Sequence, residues 1–154
     1  MNRTEFIERV RVCERRLYRV ARTMLRSDAD CEDAVQEALL RAWAKLHTLR
    51  EEQFFETWLI RILINECRMI WRRRPKATEE IPESLAAPGE DRSLIDALMN
   101  LPEKYRIPVE LHYIEGYGMS EISRMLFIPE GTVKWRLSRA RALLRNELGE
   151  EDQP

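Results

Sequence analysis

The chain has 154 residues, of which 44% are hydrophobic and 34% charged, with 26 Lys+Arg against 27 Asp+Glu and a formal net charge of -1. That composition excludes a disordered or fibrous chain and fits one globular domain or two small ones; with only 5 glycines among long Leu, Arg and Glu runs, the class is all-α. Cys13, Cys31 and Cys67 are too scattered for a disulfide framework or a zinc site. Without a signal-peptide core or an apolar run near the ~20 residues of a membrane span, the expected protein is soluble and cytoplasmic, with no metal, no cofactor and no membrane insertion.

The first predicted helix carries Phe6, Val10, Cys13, Leu17, Val20 and Met24 at alternating steps of four and three, with arginines elsewhere, and should stop near Ser27. The run DADCEDAVQEALLRAWAKL predicts a second helix, opened by acids that suit a positive helix terminus and lined by Val35, Leu39, Ala42, Trp43 and Leu46. Its other side holds Glu32, Gln36, Glu37, Arg41 and Lys45, a face that is either simply solvated or docks a partner.

A third helix follows in FFETWLIRILINECRMIWRRR, with Trp58, Leu59, Ile62, Leu63, Met69 and Ile70 as its apolar side. Beside that side runs a polar ladder of Arg61, Asn65, Arg68 and Arg72, and the aromatics Phe54, Phe55 and Trp58 stand near its start. Cations in a row beside aromatic platforms are the ingredients for holding unstacked nucleic acid, although each aromatic taken alone also suits a core. Residues 1–75 carry 16 Lys+Arg against 12 Asp+Glu. Residues 76–92 reverse this with 2 against 5, lose all periodicity and, with Pro75 just before them, collect three prolines, so they read as an acidic linker between domains 1–75 and 93–150.

Helical patterning resumes at SLIDALMNL and continues through EKYRIPVELHYIEG, where Pro108 either begins a helix or kinks one. After Gly116 and Gly118, MSEISRMLF predicts a short helix with Ile122 and Leu126 inward. A tight turn then leads to PEGTVKWRLSRARALLRNEL, with Pro129 expected in its first helical position. At about 100° per residue, Val133, Leu137, Ala140, Leu144 and Leu148 share one sector. Opposite lie Trp135, Ser138, Arg139 and Ala142, with Lys134, Arg141 and Arg145 along one flank and Arg136 along the other. Such a helix is either solvated or enters a major groove, where central side chains reach base edges and flanking cations meet phosphates. The preceding short helix and turn complete a helix-turn-helix, which favours the groove. Gly131 leaves room for a DNA backbone to come close.

The two halves together resemble a bacterial sigma factor of the sigma-70 family, extracytoplasmic-function group, with two helical domains, regions two and four, on a flexible linker. The resemblance is carried by DCEDAVQEALLRAW, FETWLIRILINECRMIWRRR, LPEKYR and EGYGMSEISRMLFIPEGTVKWRLSRAR, in that order along nearly the whole chain. It implies that region two binds core RNA polymerase through the beta-prime clamp helices, with the beta subunit a further contact, and that Asp33, Gln36, Glu37, Leu40 and Arg41 form the polymerase surface. It implies that Phe54, Trp58, Arg61, Asn65, Arg68 and Arg72 hold and melt the minus-ten region, with a flipped base captured around residues 49–54. It places Lys134, Trp135, Ser138 and Arg139 on the upstream minus-thirty-five element of promoter DNA, to which the helical spacing adds the flanking Arg136 and Arg141.

A cognate anti-sigma factor is an implied second partner. The linker reads equally as a plain tether or as an acidic segment threading the polymerase channels. Trp135, Ser123, Leu39 and Met69 depart from the usual family residues. Competing readings are a self-sufficient helix-turn-helix regulator, which leaves the Asp30 to Arg74 progression unexplained, and an enzyme, for which only the isolated His47 and His112 are on offer.

Overall fold

The computed structural model describes residues 1–73 and 92–149, which form two helical units with seven α-helices and, among the described residues, no strand. The acidic linker expected over 76–92 lies outside the described residues except for Arg92, which opens a helix.

In the first unit, α1 (Arg3–Met24) starts at a capping box in which Asn2 Oδ1 accepts from the Glu5 amide at 2.9 Å and Glu5 accepts from the Asn2 amide at 3.2 Å. The chain leaves it through extended Leu25, and Ser27 Oγ accepts from the Asp30 amide to open α2 (Asp28–Ala44). Two single-turn helices, Leu46–Thr48 and Glu52–Phe54, lead into α3 (Phe55–Arg73).

The core takes Phe6, Cys13, Leu17, Val20 and Met24 from α1, as the periodicity predicts, with Val10 half-buried at the rim. From α2 it takes Cys31, Ala34, Val35, Ala38 and Ala42. Leu39 and Leu46 are only half-buried and Trp43 is 45% exposed, so the buried face of α2 is turned away from the one its large apolar residues suggested. The physical reason is size: a row of alanines lets α2 lie close to its neighbours, and larger groups are pushed to the margin. Likewise α3 buries Phe55, Leu59, Ile60, Leu63, Ile64 and Cys67, while Trp58, Ile62 and Ile70 are half-buried and Met69 is exposed.

Ring contacts and ion pairs close the unit. Phe6 meets Trp43 and Phe55 edge-on at 5.2 and 5.7 Å. Arg16 pairs with Glu56, and Arg9 donates to the Glu52 carbonyl at 2.6 Å. Arg41 reaches the carboxylate of Glu66, 4% exposed, at 2.6 Å, tying α2 to α3. Burial pushes the Cys13 and Cys31 thiols up to about 11 and about 12, so both act as small core groups rather than nucleophiles.

In the second unit, α4 (Arg92–Asn100) ends against Arg106, whose guanidinium is buried and donates to the carbonyls of Met99 at 3.1 Å and Leu101 at 2.8 Å. These are the orphan acceptors of a helix end, satisfied by a charged donor from the next helix. Pro108 lies inside α5 (Glu103–Val109) and neither begins it nor breaks it: the chain widens into a π-turn over Glu110–Ile114, closed by Glu115 N–H to the Glu110 carbonyl at 3.0 Å. Gly116, at φ +83, then lets the Tyr117 amide bond back to Leu111 at 2.9 Å.

Helix α6 (Met119–Leu126) begins where Glu121 accepts from the Gly118 amide and ends at Phe127. Phe127 takes a left-handed conformation, φ +58, at a turn position glycine would fill without strain. Ser123 holds that turn by accepting from the Ile128 amide at its own carbonyl and donating its hydroxyl to the Ile128 carbonyl. Pro129 precedes α7 (Glu130–Leu148) as its cap, one residue earlier than expected, and Gly149 at φ +73 ends it. Ile122, Val133, Leu137 and Ala140 are fully buried, Leu144 is half-buried and Leu148 is exposed where α7 runs past the core.

Arg106→Ala removes the buried donor of two carbonyls and should lower stability by about 2–3 kcal/mol, the cost of stranding buried acceptors of a charged hydrogen bond. Urea unfolding of the purified chain measures it, and a change under 0.5 kcal/mol would show that water replaces the clamp.

Candidate nucleic-acid and polymerase interfaces

Because α7 buries Val133, Leu137 and Ala140, its opposite side is fixed outward by geometry alone. Lys134, Ser138 and Arg139 are exposed there, and Trp135 is 58% exposed. Arg136 is half-buried at one flank, and exposed Arg141 donates to the Tyr113 hydroxyl at 2.5 Å on the other. Trp135 does not stand alone: its ring lies 6.2 Å from that of Tyr105, a mostly buried residue of α5, and Lys104 covers Tyr105 at 5.1 Å. No side chain caps the start of α7. A Cβ at Gly131 would meet nothing within 4 Å, so the protein itself makes no demand for glycine there.

The ladder on α3 is equally fixed. Arg61, Asn65 and Arg72 are exposed and Arg68 half-buried, directly opposite Leu59, Leu63 and Cys67, along roughly 16 Å of helix. At its upper end Phe54 is 38% exposed and Trp58 half-buried, whereas Phe55 belongs to the core and stacks at 6.0 Å on Trp58. The structure therefore separates the three aromatics: Phe55 is a support, and Phe54 and Trp58 keep free ring area.

On α2, Asp33, Gln36 and Glu37 are exposed and Leu40 is 67% exposed, one face at steps of three and four. Arg41 sits at its edge, held by Glu66 and by Glu37 at 3.5 Å. Two grooves border this face. One, between α2 and α3, is lined by Asp30, Asp33, Glu37, Arg41, Glu66 and Arg73 among others. The other, between α1 and α2, is apolar, with Phe6, Ile7, Leu39, Leu40 and Trp43.

Sequence patterning found the outward faces but not their braces. Arg106, Tyr105 and Glu66 carry one signal in the sequence, a polar residue falling on an otherwise apolar face, and exposed Tyr113 carries none. Among the described residues no group of His, Cys, Asp and Glu could hold a metal ion, and no helix is long and apolar enough to cross a membrane.

Residues 10–76 match the model of sigma-70 region 2, and residues 91–144 that of sigma-70 region 4. The chain is 36% identical over 156 residues to the ECF RNA polymerase sigma factor SigM of Mycobacterium tuberculosis, covering 96% of this chain and 79% of that protein. It is 35% identical to the RNA polymerase sigma-E factor of Streptomyces coelicolor, covering 96% of this chain and 88% of that one.

Among solved structures, CnrH in complex with the cytosolic domain of CnrY superposes with a TM-score of 0.76 at 27% identity, covering 99% and 92% of the two chains. The sigma factor RpoE bound to the anti-sigma factor NepR from Bartonella quintana shares the fold, with a TM-score of 0.80 at 23% identity over 94% and 97%. With both regions matched in order over most of its length, the chain belongs to the sigma-70 family of RNA polymerase sigma factors, in the extracytoplasmic-function group, and is a transcription initiation factor.

Proposed function

We propose that this chain joins core RNA polymerase in the cytoplasm and directs it to promoters by reading an upstream duplex element with α7 and holding a separated strand on α3. It performs no covalent chemistry itself. The observation that carries this reading is the pairing, on two independent helices, of a fully buried apolar stripe with a cationic outward face of different character: flat and polar on α7, laddered and aromatic-topped on α3.

On α7, Arg139 and Ser138 lie where base edges would be met, Lys134, Arg136 and Arg141 where phosphates would pass, and Gly131 where a backbone could come close. Arg is suited to the paired acceptors of guanine. Trp135, 58% exposed beside Tyr105, offers apolar ring surface for a thymine methyl or a sugar. On α3, Phe54 and Trp58 would stack unpaired bases while Arg61, Arg68 and Arg72 follow the phosphates and Asn65 donates to or accepts from a base. Stacking contributes about 1–3 kcal/mol per base, enough to offset the few kcal/mol of unstacking.

Asp33, Gln36, Glu37, Leu40 and Arg41 are assigned to the polymerase clamp helices, and the beta subunit is a further contact. The matched sigma factor RpoE, co-crystallised with the anti-sigma factor NepR, supports a cognate anti-sigma factor here as well.

The direct test is run-off transcription by core polymerase with and without the chain: new start sites support the reading, and an unchanged product pattern removes it. Arg139→Ala should cost about 1–3 kcal/mol of upstream recognition and relax base preference, and an equal loss on every sequence would make it a phosphate contact only. Asn65→Ala should slow promoter opening while leaving closed-complex affinity intact; normal permanganate reactivity in the melted segment would contradict its placement. The double change Gln36→Ala, Glu37→Ala should weaken competition against another sigma factor for core polymerase, and unaltered competition would reject the α2 surface.

A further inference from the structure

Helix α1 contains seven arginines and no lysine: Arg3, Arg9, Arg11, Arg15, Arg16, Arg19 and Arg22. Two have a structural use in the first unit, Arg9 at the Glu52 turn and Arg16 at Glu56 of α3. Four others, Arg11, Arg15, Arg19 and Arg22, fall within a sector of about 80° at 100° per residue. That sector is centred opposite the buried stripe of Phe6, Cys13, Leu17, Val20 and Met24. Arg11, Arg15 and Arg19 are exposed, and Arg22 is half-buried near Asp28 at 3.9 Å, a loose pair. One acid, Glu8, falls within the sector and Glu14 lies well to one side of it, leaving a surplus of positive charge. Core packing does not account for a row of guanidiniums pointing away from it.

We infer that this row is a second nucleic-acid contact, for the phosphate backbone of duplex DNA, separate from α3 and α7. It rests on the initiation-factor reading only for the source of that DNA. Steps of four residues put Arg11, Arg15 and Arg19 about 6 Å apart along the helix. Duplex DNA offers one phosphate per roughly 3.4 Å of axial rise on each strand; because the strand also winds about the axis, successive phosphates stand farther apart than that rise, on the scale of the arginine spacing. Guanidinium forks suit phosphate oxygens, which favours this ligand over a generic acidic surface that lysine would serve as well.

Between them a shallow depression lined by Glu14, Arg15, Tyr18, Arg19 and Arg22 adds one hydroxyl. Burial, with Glu32 and Glu14 adding to it, holds the Tyr18 phenol above its ordinary pKa, so it keeps its proton as a donor. The row carries no Phe or Trp on its outward side, unlike the α3 ladder with Phe54 and Trp58 at its start, which makes a stacked duplex, not a parted strand, its match.

The test compares the full chain with its Arg11→Ala, Arg15→Ala, Arg19→Ala triple variant, both in complex with core polymerase on promoter fragments and free against a mixed-sequence duplex. Each affinity is titrated from 50 to 200 mM salt. Loss of three phosphate contacts should make the slope of log affinity against log salt about 2.7 shallower in the triple variant. The corresponding lysine triple should restore most of the slope, and the glutamine triple, which keeps helix-forming stems, should lose it again. An unchanged slope in both formats overturns the inference. So does a triple variant that binds core polymerase more weakly with its salt slope intact, since the row would then face protein. Failure of the wild-type chain to join polymerase would strike the proposed function alone, because the free-chain titration still reads the arginine row.

Discussion

A small helical unit has one core, and each helix can give it only one stripe. Once Leu59, Leu63 and Cys67 of α3 or Val133, Leu137 and Ala140 of α7 are buried, the residues half a turn away are outward with no freedom to be otherwise. The positions of Arg61 and Asn65, and of Ser138 and Arg139, are thus consequences of packing before they are anything else. A surface built in this way is rigid at the backbone and adjustable only in side-chain choice, which suits a protein that must tell one DNA sequence from another.

The same constraint divides the charges. Those aimed along the flanks of a helix meet neighbouring elements and are used internally: Arg16 with Glu56, Arg41 with Glu66, and Arg106 on the last carbonyls of α4. Charges aimed straight outward contribute little to holding the units together, because exposed pairs are worth well under about 1 kcal/mol. Net charge near zero over the whole chain conceals this sorting, because it sums outward-facing and internally paired charges alike. Trp135 shows the intermediate case, a ring held out toward solvent by a ring behind it, Tyr105.

Much of this was legible in the sequence, and the gaps have definite causes. The stripes of α1 and α7 emerged from spacing because their buried residues are large and their exposed ones charged. On α2 the reading was rotated by part of a turn: Val35 and Ala42 are inside as expected, but alanines carry little hydrophobic signal, and Ala34 and Ala38 complete the buried face while Leu39 is half-buried and Trp43 lies outside. Of the two readings of Pro108, its place inside α5 excludes that of a helix start, and the π-turn that follows it over Glu110–Ile114 left no sign in the spacing. Buried Arg106 and Glu66 were invisible to periodicity, which has no means of matching a charged residue to a partner on another helix. Of the candidate site, the residues facing outward were foreseen; the residues that hold them were not.

Two units, each with its own outward cationic face, should give one polymerase two separate sequence requirements. Transcription from a randomised promoter library by core polymerase reconstituted with this chain addresses it most directly. The account predicts that the enriched templates share two blocks of preferred sequence apart from each other. One block should track changes on α7 and the other should track changes on α3. Enrichment of a single block, or none beyond that of core polymerase alone, would contradict it.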